Sequence, residues 1–258
     1  MPNNIIFRDE VANTATCDIF ASVPRRNSKM GNIPSFSTLP GNAPMILRDG
    51  RAVVDIVGTC GDHCAGCFGK YCYAEAYTRM YRETARAYAR NTLLIRRGAF
   101  ERLQKQVSAH IDVEDRPFFR WHVSGELETT GQFSAYCDIM ESRPAVRFGI
   151  YTRALDIVES VYNDRGARVE NLCINWSLEN RLPVPDEVAR ARRLGACFFI
   201  YDDGSNAELE TLPHCPAVDK AGHKTGITCD KCGRCYTAGA GSVMAVHAHG
   251  NRREGRAE

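Results

Sequence analysis

The chain has 258 residues, 44% hydrophobic and 25% charged, which is enough apolar content for one packed domain of α/β-barrel size or two small ones. A formal net charge of +2 gives no whole-molecule field to draw nucleic acid or an anionic membrane surface, so any such case must be local. No run approaches the roughly 18 apolar residues of a membrane span, and the opening Met1-Pro2-Asn3-Asn4-Ile5-Ile6-Phe7 lacks the basic-then-apolar plan of a secretory signal. The expectation is a cytoplasmic, reduced protein with no membrane partner, a setting in which clustered cysteines are metal ligands before they are disulfides.

In chain order, residues 1–45 hold Pro24, Pro34, Pro40 and Pro44 with Gly31 and Gly41 among Ser and Asn, and read as an extended N-terminal arm over the surface. Residues 46–202 alternate between strand-like and helix-like segments. Ala52–Gly58 reads as a buried strand and Tyr73–Arg90 as a helix. A second helix runs from Gly98 to about His110, with Leu103 and Val107 one turn apart. Then come strand Pro117–Val123, helix Gly131–Glu141, strand Val146–Thr152 and helix Ala154–Asn163. Strand Leu172–Ser177, helix Pro185–Leu194 and strand Ala196–Tyr201 follow. Residues 203–258 form a cysteine-rich segment with a last strand at Ser242–His247. This alternation argues for an α/β fold with parallel strands, and six strands fit a partial (β/α)6-type barrel better than a full eight-fold one. In such a barrel the chemistry gathers at the carboxyl ends of the strands.

Eight of the 12 cysteines fall in two groups. The first is Cys60, Cys64 and Cys67, with spacing C-x3-C-x2-C in a loop after an apolar run, and Cys72 close behind. Three thiolates this close converge on one centre and leave a fourth position open, as on a [4Fe–4S] cluster with one free iron. Three sets stand open: Cys60/Cys64/Cys67, Cys60/Cys67/Cys72, or all four cysteines around a closed structural site. Zinc is the alternative metal, although it usually takes paired C-x2-C units with a longer gap. The second group, Cys215 with Cys229, Cys232 and Cys235, pairs C-x2-C-x2-C with a distant Cys-Pro. That is a ferredoxin-like ligand set in permuted order. It suits a second [4Fe–4S] cluster or a structural zinc, with His214 or His223 as substitute ligands. Cys17, Cys137, Cys173 and Cys197 are scattered and read as small hydrophobes.

Other polar residues fall where a barrel would use them. Ser124-Gly125-Glu126 follows the second strand, Arg153 the third, Ser177 and Glu179 end the fourth, and Asp202-Asp203 end the fifth. The bland reading of Ser124-Gly125-Glu126 is a strand-to-helix turn. Its place opposite the cysteine loop adds a second reading, in which Gly admits a ligand to the backbone and the carboxylate meets an ammonium group. Arg79, Arg82, Arg86 and Arg90 recur every three or four residues, among Tyr77, Tyr81 and Tyr88. They read as a solvated face or, alternatively, a phosphate-binding stripe. Of Trp121 and His122 only one faces the barrel centre, and His122 reads as a core histidine.

The triple cysteine motif with a Gly-Glu turn after the next strand resembles the radical S-adenosylmethionine (SAM) enzymes. More narrowly, several stretches resemble the phage "gene product 88" family: Ser28-Lys29-Met30-Gly31-Asn32-Ile33-Pro34-Ser35-Phe36, Cys72-Tyr73-Ala74, His122-x-Ser124-Gly125-Glu126, Tyr151-Thr152-Arg153 and the late cysteine run. The radical SAM resemblance implies an open iron that chelates SAM through its methionine amine and carboxylate. It also implies an amine held by Ser124, Gly125 and Glu126, and ribose or carboxylate contacts from Arg153, Ser177 or Glu179. Those enzymes place an aromatic residue before the third cysteine, where this chain has Gly66; Tyr73 or Phe68 stands in as the adenine partner. The Gly-Gly-Glu-Pro form of the turn is replaced by Ser124-Gly125-Glu126-Leu127. Such an enzyme needs an electron donor such as flavodoxin or ferredoxin, and its substrate, nucleotide-related or other, is not legible. The alternative is a metal-stabilised nucleic-acid-binding phage protein without SAM chemistry. A zinc-dependent barrel enzyme acting on a base or nucleotide is a third.

Overall fold

Apolar residues at every second position of a strand give it one face to bury, and four successive strands of this chain share that pattern. Phe119 and Trp121, then Phe148 and Ile150, then Ile174, Trp176 and Leu178, then Phe198 and Ile200 all point into one core. The computed structural model describes residues 29–42, 44–46, 52–64 and 72–248. It shows eight strands, here numbered β1 (Ser35–Phe36), β2 (Pro44–Ile46), β3 (Ala52–Val57), β4 (Phe118–Trp121), β5 (Arg147–Thr152), β6 (Leu172–Glu179), β7 (Ala196–Asp202) and β8 (Val243–His247). Eight α-helices are described: α1 (Tyr73–Met80), α2 (Arg82–Arg96), α3 (Phe100–Glu114), α4 (Thr130–Glu141), α5 (Leu155–Arg165), α6 (Pro185–Leu194) and the short α7 (Cys229–Cys232) and α8 (Arg234–Thr237).

Six strands form one sheet in the order β1-β4-β5-β6-β7-β8, and each neighbouring pair is parallel. The register carries the apolar row across the sheet: Trp121 faces Ile150, Ile150 faces Ile174, and Trp176 faces Phe198. Helices α3, α4, α5 and α6 pack in succession against this row. Trp121 lies at its centre, fully buried and stacked on Tyr136 of α4 at 3.9 Å between ring centroids. Pro185 opens α6 with its fixed φ, and Gly195 closes it at φ 74°.

The other face of the sheet carries the polar and sulfur residues that alternate with the core: Arg120, Tyr151, Cys173, Asn175, Ser177 and Glu179. The C-terminal segment covers part of it, with α8 packed on β5 and β6. Gly149 makes this contact possible, because a Cβ there would stand 2.9 Å from the Tyr236 ring and 3.1 Å from the Cys235 carbonyl oxygen.

Three sequence expectations change. The run Ala52–Gly58 is a strand, but β3 pairs antiparallel with β2 in a separate two-stranded sheet. The first strand of the parallel sheet is β1, inside the segment read as an extended surface arm; Ser35 and Phe36 are 3% and 0% exposed. Prolines at 34 and 40 hid it, since a proline lacks a strand donor. Position 34 needs only an acceptor, as Arg120 N–H donates to the Pro34 carbonyl at 3.0 Å, and His122 N–H donates to that of Phe36 at 2.8 Å. The long helix from Tyr73 is also broken, because Tyr81 takes an extended conformation (φ −116°, ψ 96°) between α1 and α2. Residues 1–28, Gly66, Cys67 and Phe68 lie outside the described residues.

Candidate functional site

The strands end at one edge, and the loops leaving them bring most of the sequence-selected residues together. After β4 the chain turns sharply through His122 at φ 57° and Gly125 at φ 80°. A side chain at Gly125 has no room, since a Cβ would stand 2.0 Å from Thr38 Oγ1 and 2.6 Å from Thr59 Oγ1. Those two hydroxyls are hydrogen-bonded to each other at 2.9 Å, and Thr59 Oγ1 accepts the Glu126 N–H at 2.7 Å. Thr59 directly precedes Cys60, so the Ser124-Gly125-Glu126 turn is fastened to the start of the first cysteine loop.

Two further ties hold that loop over the strand ends. Arg153, just past β5, donates to the His63 carbonyl at 2.9 Å and forms an ion pair with Glu179 at the end of β6. Tyr73, next to Cys72, donates its hydroxyl to the Val123 carbonyl after β4. Cys60 Sγ accepts the Gly41 N–H at 3.3 Å and Cys72 Sγ accepts the Glu75 N–H at 3.4 Å.

Glu126 is buried, and its carboxylate accepts from Leu127 N–H at 2.8 Å, Thr152 Oγ1 at 2.5 Å and Arg153 N–H at 2.8 Å. Burial raises its pKa, and those three donors oppose the rise. Its first task is therefore to hold the turn and the start of the loop after β5 in register. The adjacent Ser124 differs, because its Oγ is buried with no hydrogen-bond partner among the described residues. Ser177 lies two residues before Glu179 on the same strand face, half-buried.

His122 is a core residue, as its sequence suggested. Its Nε2 lies 3.2 Å from Tyr136 Oη and 3.4 Å from Gln132 Nε2. Burial pushes it down to about 4. Between about pH 6.5 and pH 4 the unfolded chain takes up a proton that the folded protein refuses, so stability falls as the pH drops through that window. Urea unfolding at pH 7.0 and pH 4.5 should show the wild type losing about 2–3 kcal/mol more than His122→Gln between the two. An equal loss in both proteins would contradict this reading.

The second cysteine group lies on the sheet face opposite the helices. Cys229 N–H donates to the Lys29 carbonyl at 2.8 Å, and Asn175 Nδ2 donates to the Cys235 carbonyl at 3.0 Å. Cys215 N–H donates to the Ala245 carbonyl at 2.7 Å, which sets it beside β8. The thiols are electrostatic neighbours, with Cys229 influenced by Cys215 and Cys232, and Cys235 by Cys229 and Cys215. Burial pushes the Cys229 thiol up, and the charges of Arg120 and Lys29 oppose it. Burial likewise pushes Cys235 up to about 12. Among the described residues, no three cysteine sulfurs lie within 4.8 Å of one another.

Sequence reading missed Arg120 and Lys29. Arg120 lies over the Tyr151 ring at 4.0 Å, with Tyr73 of the first cysteine loop and Cys229 of the second among its electrostatic neighbours. A charged residue between Phe119 and Trp121 was the available signal, since strand alternation sends it to the face away from the core. The arginine stripe is divided, with Arg79 on α1 paired to Glu75 at 2.9 Å and Arg86 on α2 paired to Glu83 at 3.1 Å. Cys137, Cys173 and Cys197 are buried, as expected of small hydrophobes. No described helix is long and apolar enough to cross a membrane.

Neither a curated protein nor a solved structure matches the chain. The family described as gene product 88 matches residues 23–238, a span that takes in both cysteine groups and strands β1 to β7, and the chain belongs to that family.

Proposed function

We propose that this protein is a radical SAM-like enzyme, with the first cysteine group holding a [4Fe–4S] cluster and the second an auxiliary one. The observation that carries the reading is the fastening of the first cysteine loop onto the strand ends. Thr59, Tyr73 and Arg153 bind it beside a buried Ser124 hydroxyl that lacks a partner among the described residues. The sequential strand order with helices stacked on one face supports a partial (β/α)6 barrel as the scaffold.

The donor set fits the group. Cys60 and Cys72 accept backbone N–H bonds, and Cys64 follows in the short 3₁₀ turn Gly61–Cys64. At the second group, the permuted ferredoxin-like spacing of Cys215, Cys229, Cys232 and Cys235 supports a multi-iron cluster over zinc. A [4Fe–4S] cluster held by the first group would supply the electron for reductive cleavage of bound SAM, and a donor such as flavodoxin or ferredoxin would replenish it.

The chain's own residues position and shield. Ser124 Oγ and the backbone at Gly125 hold the methionine ammonium, while Glu126, satisfied internally, keeps that turn rigid. Arg153 ties the cysteine loop to Glu179, and Ser177 with Glu179 faces the ribose. Tyr73 supports the adenine. Arg120 and Lys29 offset the negative charge of the thiolates at the second group. The nucleic-acid-binding alternative rests on the arginine stripe, and the ion pairs to Glu75 and Glu83 weaken it.

The test is anaerobic SAM cleavage under dithionite, read as 5′-deoxyadenosine. A Cys64→Ala/Cys67→Ala variant should lose cleavage by at least about a hundredfold while keeping the metal of the second group. Full cleavage in that variant would overturn the proposal.

A further inference from the structure

A second ligand set lies at the same end of the sheet but on its other face. Asp202 ends β7 and His247 ends β8, and the two are register partners. Strand alternation puts them on the helix-covered face with Ile200 and Ala245, away from Ser177, Glu179 and the second cysteine group. His214, brought alongside β8 by the bridge between His214 and Ala245, completes the group.

All three side chains converge on one atom. His214 Nε2 lies 3.1 Å and His247 Nδ1 3.0 Å from Asp202 Oδ2, and the two imidazole rings stack at 3.9 Å. Supporting contacts fix the ligand atoms. His214 Nδ1 lies 2.8 Å from the Leu212 carbonyl, which can only accept, so that nitrogen carries the proton and Nε2 is turned to Asp202. Asp202 Oδ1 accepts the Gly204 N–H at 2.8 Å, which leaves Oδ2 as the oxygen presented to both rings. Asp202 is 3% exposed, while both histidines are only partly buried and leave one side of the group open.

We propose that Asp202, His214 and His247 bind a divalent first-row transition ion. Ligand atoms ~2.1 Å from one ion and at right angles around it stand ~3.0 Å apart, which matches the separation of each imidazole nitrogen from Asp202 Oδ2, and all three ligand atoms lie within 4.8 Å of one another. Two imidazoles and one carboxylate on a single face suit iron(II), manganese(II) or zinc, and the all-oxygen preference of calcium and magnesium disfavours those ions. The remaining positions would be filled by water or a small anionic ligand from the open side. Because His214 precedes Cys215, the ion would also anchor the segment that carries the second cysteine group. The site is independent of SAM chemistry.

The probe is cobalt(II) added to the intact protein as isolated. The expected result is one equivalent bound, giving weak visible d–d bands with no new sulfur-to-metal charge-transfer band, together with a raised melting temperature. His247→Gln, checked for its fold by circular dichroism, should weaken cobalt binding at least about tenfold, and His214→Gln should do the same. Absence of binding to the wild type, cobalt bands of thiolate character, or unchanged affinity in a folded His247→Gln would each overturn the site. The triad would then be a metal-free hydrogen-bonded clamp.

Discussion

Gly125→Ala should lower stability by about 2–5 kcal/mol and remove the response to SAM. Two effects add. An L-residue in the left-handed region costs about 1–2 kcal/mol, and overpacking a closed site costs about 1–3 kcal/mol more. The new methyl would stand 2.0 Å from Thr38 Oγ1 and 2.9 Å from the Thr38 carbonyl, so neither a side-chain rotation nor a small shift clears it. Thr38 is held in turn by its N–H to the Ser124 carbonyl at 3.1 Å. Gly204 is the control, because it has φ 84° but nothing within 4 Å of its added Cβ. Gly204→Ala should therefore lose only the backbone component, about 1–2 kcal/mol. Urea unfolding of both variants checks this, and equal losses would refute the crowded turn.

The second large effect is expected at Cys229. Cys229→Ala removes a proposed ligand of the second cluster and should cut bound iron by roughly half, leaving the first cluster and its SAM response in place. The damage should spread to the start of the described chain. Cys229 N–H is bonded to the Lys29 carbonyl, and Asn32 N–H donates to Asp230 at 3.1 Å. Gly31 packs so closely on Asp230 that an added Cβ would fall 2.1 Å from its Oδ1. Residues 29–32 should therefore lose amide protection together with the C-terminal segment. Cys173→Ala, a buried thiol outside both groups, should keep its full metal content. Unchanged iron in Cys229→Ala, or equal loss in Cys173→Ala, would contradict the assignment.

The strands and the longer helices from residue 98 onward were legible from their hydrophobic period, whereas the short α7 and α8 in the cysteine-rich segment carry no such period and were not expected. Expected and observed bounds differ by a few residues, and the helix Pro185–Leu194 coincides. Strand β1 was not legible, because two residues between prolines carry no period, and only the partner β4 gives them a strand's role. The break at Tyr81 had no signal, since neither Pro nor Gly stands there. At the site, the residue types were readable and their tasks were not. Glu126 was read as an ammonium partner, yet Leu127, Thr152 and Arg153 already share its carboxylate. Asp202 and His247 are 45 residues apart in sequence and meet only through the register of β7 and β8.

The proposed open first cluster is distinguished by its iron content and by the response of its spectrum to SAM. Anaerobically purified protein should be assayed for iron, sulfide and zinc, then reduced and examined by EPR with and without SAM. About eight irons per chain and a spectrum that shifts when SAM is added are expected. Zinc alone, or a reduced cluster whose spectrum is unchanged by SAM, would contradict the open first cluster.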